Sequence, residues 1–263
     1  MGILNVTPDS FSDGGDWFDH DRAIDHGRRL VAEGADMIDI GGESTRPGII
    51  RTDSAEELRR ILPVVRALAA EGIVISVDTM RAEVARATVE AGAAIVNDVS
   101  GGLADPDMLP TVAALEVAYV AMHWRAHSAH MQDLAHYDDV VGDVRTELAA
   151  RAEAALAAGI HANRLILDPG IGFAKTAAHN WALLNRLDVL AGLGFPLLIG
   201  VSRKTFLGDL LAVDGEPRPP KERDDASAAI TAILAGQRIW AVRTHSVRQH
   251  RDAITVASRL VDS

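Results

Sequence analysis

Eight short apolar runs, each followed by a stretch with helical spacing, recur from one end of this chain to the other. No other feature narrows the fold as far. The strand-like runs are Gly2–Val6, Asp36–Ile40, Ile73–Val77, Ala94–Asn97, Val117–His123, Leu165–Asp168, Leu197–Val201 and Trp240–Thr244. Each is mostly apolar and bounded by glycine or polar residues, which suits strands buried on both faces of a parallel sheet. Between them, Ala23, Ile24, Gly27, Leu30 and Val31 form one helical stripe; Leu58, Ile61, Leu62, Val65 and Leu68 form another. Asp53 with Glu56, or Ser54 with Glu57, can cap the second helix. Pro63 is expected to bend that helix or mark its start. Further helices are expected over Met80–Ala91, Pro106–Leu115, Val140–Ala158, Ala178–Leu193, Ala226–Ala235 and Val247–Leu260. Gly34, Gly72, Gly92, Gly159 and Gly236 stand where several helices stop. Eight such units in 263 residues predict an α/β fold, a (β/α)8 TIM barrel forming a single domain over 1–263. A doubly wound open sheet is the alternative use of the same elements.

A barrel builds its site at the C-terminal ends of the strands. Polar residues fall there: Asn5, Asp39, Asp78, Asn97-Asp98, His123, Asp168, Ser202-Arg203-Lys204 and Arg243-Thr244-His245, with Asp39 expected at the rim. One polar residue ending a strand is ordinary turn chemistry. Eight together point to a shared ligand site. Strands seven and eight supply Arg203, Lys204, Arg243 and His245, which suit a phosphate or pyrophosphate. Asp78, Asn97 and Asp168 would be costly to bury without partners. The amino-oxo pyrimidine edge of a flat heterocycle supplies such partners, and Lys204 can donate to the same ring. Phe173 and Met122 can pack on its faces. For Asp78 and Asp98 the competing reading is a strand-end cap or an internal ion pair.

Three loops on this face are glycine-rich: Thr7–Gly15, Asp39–Gly48 and Asp168–Lys175. The first two have the polar content and glycine hinges of lids. Trp124–Asp139 and Asp214–Asp225 read as extended loops. The spacing of His123, His127 and His130 would allow zinc ligation, though a flexible loop is the favoured reading. A net charge of −11 argues against nucleic acid or an anionic membrane as partner, while local cations still permit a small anionic substrate. The absence of cysteine excludes a disulfide framework and a thiol nucleophile, and suits an intracellular protein. Neither a signal peptide nor a membrane span is legible.

The stretches Asn5–Gly15, Gly41–Gly48, Ser76–Thr79, Asn97–Gly101, Asp168–Lys175, Ser202–Lys204 and Arg243–His245 together resemble dihydropteroate synthase, a folate-pathway family. They run in that family's order across nearly the whole chain, and Met122-His-Trp-Arg125 resembles its actinobacterial branch. The resemblance implies a cytoplasmic homodimer that is a sulfonamide target. It implies condensation of 6-hydroxymethyl-7,8-dihydropterin pyrophosphate with 4-aminobenzoate, without a protein nucleophile, pyrophosphate leaving before the arylamine attacks. It implies a pterin site of Asp78, Asn97, Met122, Asp168, Phe173 and Lys204. Asn5, Arg243 and His245 would hold pyrophosphate, with Mg2+ on Asn5. Phe11, Arg46, Pro47, Phe173 and Ser202 would meet aminobenzoate. Asp13, Thr45, Arg46 and Lys204 would be the catalytic group. The short leader that often precedes the first strand in that family is not seen, so either a more open barrel floor or a truncated sequence is expected, with stability affected more than chemistry. A pterin barrel of the methyltetrahydrofolate methyltransferase kind and an inactive paralogue are the rival readings.

Overall fold

A computed structural model describes residues 1–7, 20–43, 52–126, 134–237 and 239–261. Strands and helices alternate along it: β1 (Gly2–Asn5), α1 (His20–Ala32), β2 (Ile38–Gly41), α2 (Ser54–Ala70), β3 (Ile75–Asp78), α3 (Ala82–Glu90), β4 (Ile95–Asp98), α4 (Met108–Leu115) and β5 (Ala118–Met122). Then come α5 (Val140–Ala157), β6 (Leu165–Asp168), α6 (Ala177–Asn185), α7 (Leu187–Ala191), β7 (Leu198–Ile199), α8 (Thr205–Leu210), α9 (Asp224–Leu234), β8 (Ala241–Val242) and α10 (Val247–Val261). Strands β1 to β6 pair in sequence, all parallel, and β7 pairs with β8. Two parallel bridges, Leu167 to Leu197 and Gly2 to Thr244, join these sheets end to end. The amide of Leu167 donates to Pro196 O at 2.9 Å, and that of Ile3 to Thr244 O at 2.9 Å. The ring therefore closes, as a barrel rather than an open sheet.

Alternation along each strand sends neighbouring side chains to opposite faces. Ile38, Ile40, Ile75, Val77, Leu165 and Leu167 pack outward under the helices. Met1, Ile95, Val120, Ile166 and Leu198, with Met37 and Ala241, form a separate apolar cluster that fills the barrel interior. The next inward position along each strand is Asp39 after Met37, Asn97 after Ile95, Met122 after Val120, Asp168 after Ile166 and Arg243 after Ala241. A largely polar layer thus stands one pleat step above an apolar plug.

Some expectations are narrowed and others corrected. Of the two readings of Pro63 the start of a helix is excluded, since it lies inside α2. The cap of that helix is Asp53, whose carboxylate accepts from Glu56 N at 2.8 Å. The single helix expected over Ala178–Leu193 breaks at Arg186, where φ −131° and ψ 37° leave the helical region. Helix α8, only six residues long, is too short to show a period and was not anticipated. Gly34, Gly72, Gly92 and Gly159 end their helices with φ between 79° and 112°, as a left-handed cap requires.

Candidate active site

On one side of the mouth, register brings Asp39 beside Ser76 and Asp78 beside Asn97. Arg243 comes round from the end of β8. Its Nε donates to Asp39 Oδ2 at 2.6 Å and its Nη2 to Asp78 Oδ2 at 2.8 Å. Ser76 Oγ donates to Asp39 Oδ1 at 2.6 Å, and Asn97 Nδ2 to Asp39 Oδ2 at 3.1 Å. Asp39 was expected at the rim; it is instead fully buried inside the strand layer. Alternation is the reason, since Ile38 and Ile40 face the helices and Asp39 must face inward. Burial pushes Asp78 up to about 7, against the pull of Arg243 and with the charge of Asp39 adding to the rise. Arg243 keeps 22 % of its side-chain surface open.

Asp98, next to Asn97, faces the other way. Its carboxylate accepts from Ser100 N (2.8 Å), Ser100 Oγ (2.7 Å), Gly102 N (2.7 Å) and the Tyr119 hydroxyl (2.8 Å). The cap reading holds for Asp98, while the ion-pair reading holds for Asp78. A two-residue motif in sequence becomes two faces of a strand in space.

On the opposite side, Met122 and Asp168 pair across β5 and β6. Asp168 accepts from Gly170 N at 2.7 Å, and burial pushes its carboxyl up to about 6. The Nζ of Lys204 lies 4.0 Å from the centre of the Phe173 ring. Burial and the Arg243 charge lower Lys204 to about 8. Gly172 has φ +81°, and a Cβ there would sit 2.9 Å from Lys204 Cδ, so the loop needs glycine to let the lysine through.

The turn after β7 places Ser202, Arg203 and Lys204. Ser202 Oγ accepts from His245 N at 3.1 Å and meets His245 Nδ1 at 3.0 Å, so those two residues are joined. Arg203, expected among four cations around an anion, turns away. With φ +61° it makes a two-pronged ion pair with Asp224 of α9, both bonds at 2.8 Å. Consecutive residues of a turn cannot all face the mouth, and a carboxylate at the start of α9 claims this one. Asn5 ends β1 opposite Gly41.

Several residues gave no legible functional signal. Lys175, closing the glycine loop after β6, is buried and donates to Gly170 O (3.1 Å) and Phe173 O (3.0 Å). Its Nζ also meets His123 Nδ1 at 2.9 Å, and His123 Nε2 meets Glu147 at 2.9 Å. Both nitrogens of His123 are therefore engaged by protein groups. A lysine inside an apolar, glycine-rich stretch was the available clue. Arg81 is another such residue: Nη1 reaches Glu43 Oε2 at 2.7 Å and also bonds buried Glu57, while Nη2 bonds Thr52 O. One guanidinium thus ties both sides of the 44–51 segment. Phe11, Asp13, Thr45, Arg46, Pro47, His127 and His130 lie outside the described residues.

Residues 1–245 match the family model described as pterin binding enzyme. The dihydropteroate synthase of Mycobacterium leprae is 56 % identical over 97 % of this chain and 91 % of that protein. Among solved structures, the Xanthomonas albilineans dihydropteroate synthase with 4-aminobenzoic acid is 44 % identical, with a TM-score of 0.91, covering 100 % of this chain and 92 % of that one. The Yersinia pestis dihydropteroate synthase in a sulfonamide drug complex is 41 % identical, with a TM-score of 0.92, covering 100 % and 94 %.

Proposed function

This chain belongs to the family of pterin-binding enzymes, among its dihydropteroate synthases, and from that premise we propose how its barrel mouth carries the reaction. The enzyme is a transferase. It condenses 6-hydroxymethyl-7,8-dihydropterin pyrophosphate with 4-aminobenzoate to give 7,8-dihydropteroate and pyrophosphate. The observation that carries our assignment of roles is the convergence of Asp78, Asn97, Asp168 and Lys204 just above the apolar plug.

Asp168 and Asp78 accept the parallel N–H groups of the pterin's pyrimidine edge, Asn97 both donates and accepts, and Lys204 donates to a ring oxygen or nitrogen. Met122 and Phe173 flank the ring. Arg243 and His245 receive the pyrophosphate and stabilise the negative charge that develops as it leaves. Departure runs ahead of attack because the electron-rich ring stabilises the resulting cation. The neutral amine then adds and sheds its proton. Phe173 and Ser202 meet aminobenzoate; the same role is assigned to Phe11, Arg46 and Pro47, and a catalytic one to Asp13 and Thr45. A sulfonamide competes for that side.

We assign Mg2+ to the pyrophosphate, with Asn5 as its protein ligand. An amide oxygen at the open end of β1 suits a hard cation that keeps most of its waters and takes oxygens from a phosphate. Bound there, the ion would neutralise charge on the leaving group. The same reading makes the protein cytoplasmic and a homodimer. Among the described residues no helix is long and apolar enough to cross a membrane. Ile233 of α9 and Val256 and Leu260 of α10 are more than 60 % exposed and supply an apolar surface for a second copy.

A coupled assay of pyrophosphate release tests the reading. Release that depends on both substrates, and on added Mg2+ after chelation, is expected. Release that does not respond to aminobenzoate counts against the condensation, and indifference to chelation counts against the metal.

A further inference from the structure

The loop from Gly170 to Ala174 follows a path that its sequence alone does not stabilise. Gly170, Gly172 and Ala174 all have positive φ, at 65°, 81° and 49°. For alanine that conformation costs about 1 kcal/mol. The loop carries Phe173, and through Gly170 N it also touches Asp168. Something must hold it in place.

We propose that Lys175 is a positioning residue for the aminobenzoate side of the site, acting through this loop on Phe173. The inference rests on the assignment of Phe173 to that side. An ammonium has three protons to donate, and Lys175 Nζ has three acceptors at hydrogen-bond distance: Gly170 O, Phe173 O and His123 Nδ1. With Nδ1 accepting, the ring proton of His123 sits on Nε2 and is donated to Glu147 Oε2. Glu147 is held in turn by Arg125, whose Nη2 lies 2.5 Å from Oε1. Arg125 also stacks on Tyr137, 3.8 Å from the ring centre, and the Tyr137 hydroxyl donates to Ala174 O at 3.0 Å. Two of the loop's carbonyls are thus bound by Lys175 and a third by Tyr137, both backed by Glu147 and Arg125.

Packing closes the remaining freedom. A Cβ on Gly170 would lie 2.5 Å from His123 O, so the loop already rests against the end of β5. Burial lowers Lys175 to about 7, against the charges of Asp168 and Glu147. None of its three contacts is to a group assigned to substrate by its side chain. Two are to the backbone that sets the Phe173 ring at 4.0 Å from Lys204 Nζ.

The test is steady-state kinetics on Lys175→Met, Phe173→Ala and the double variant, each with a thermal melt. Phe173→Ala is expected to raise the aminobenzoate KM about tenfold. Lys175→Met is expected to raise the same KM by about tenfold, to move the pterin KM no further than Phe173→Ala does, and to change kcat by less than about threefold. In the Phe173→Ala background, Lys175→Met should add less than about twofold, because the ring it positions is gone. Additive losses would overturn the inference. So would a lower melting temperature with an unchanged KM. An unaltered KM in Phe173→Ala would instead remove the premise, a failure distinct from an effect seen in Phe173→Ala alone. Should Lys175→Met fail to fold, Tyr137→Phe removes one loop bond on the opposite side. It should raise the aminobenzoate KM about threefold, and no change would count against the proposal.

Discussion

On the β2, β3, β4 and β8 side of the mouth, Arg243 answers Asp39 and Asp78 directly, with Ser76 and Asn97 completing Asp39. On the β5, β6 and β7 side, Asp168 has a backbone N–H as partner and Lys204 an aromatic ring. Both sides bury charge, and they meet its cost differently. The first neutralises charge with charge. The second leaves carboxylate and ammonium apart, and desolvation brings their ordinary values together, to about 6 and about 8. The first side is therefore a scaffold that also touches ligand, and the second keeps its hydrogen-bonding capacity for a ligand.

Substitutions on the two sides should then differ in sign as well as size. Arg243→Ala strands two buried carboxylates and should lower stability by about 3–5 kcal/mol. Chemical denaturation measures that loss. The variant should also weaken the pyrophosphate-bearing substrate far more than the bare pterin alcohol, and equal losses would remove Arg243 from the anion site. Lys204→Met should do the reverse on the opposite side. Pterin binding should fall about thirtyfold while stability stays level or rises by about 1 kcal/mol, because a buried cation gives way to an apolar chain. A clear loss of stability would erase the contrast.

The pH dependence sharpens it further. Carboxylates that accept N–H groups must be ionised, so pterin affinity should begin to fall as pH drops below about 7, where Asp78 takes up a proton, and fall more steeply below about 6, where Asp168 does. In the empty enzyme the sign for stability is opposite. Asp168 has its value raised, so the folded chain holds a proton that the unfolded chain has shed between about pH 4 and about 6. Its contribution therefore declines as pH rises through that window. Titrations of wild type and Asp168→Asn, subtracted from one another, isolate both effects. The smallest change belongs to Arg203→Ala. It should cost about 1 kcal/mol through its Asp224 pair and shift the KM values by less than about threefold. A large, selective loss for the pyrophosphate substrate would return Arg203 to the anion site.

Much of this was legible in the residues. Periodicity gave eight strands within a few positions of where they lie, because a residue buried on both faces of a strand leaves a continuous apolar run. Polar residues at the strand ends marked the mouth. What the pattern did not reveal was direction. Asn97 and Asp98 look equivalent in sequence, and the pleat sends one to the mouth and the other to Tyr119. Arg203 and Lys204 look equivalent too, and Asp224, 21 residues on from Arg203, separates them. Asp39 read as a rim residue because nothing local shows that Arg243, 204 positions away, will meet it in the interior. Lys175 reads only as the end of a motif, since two of its three acceptors are backbone carbonyls, which carry no residue-specific signature.

The most direct measurement is titration of 6-hydroxymethyl-7,8-dihydropterin pyrophosphate into wild type and Asp168→Asn, with a melt of each protein. Asparagine retains an acceptor for Gly170 N and removes the charge that the pterin edge needs. The account predicts an affinity at least about 100-fold weaker, with a melting temperature within a few degrees of wild type. An affinity within a few-fold of wild type in a folded Asp168→Asn variant would contradict it.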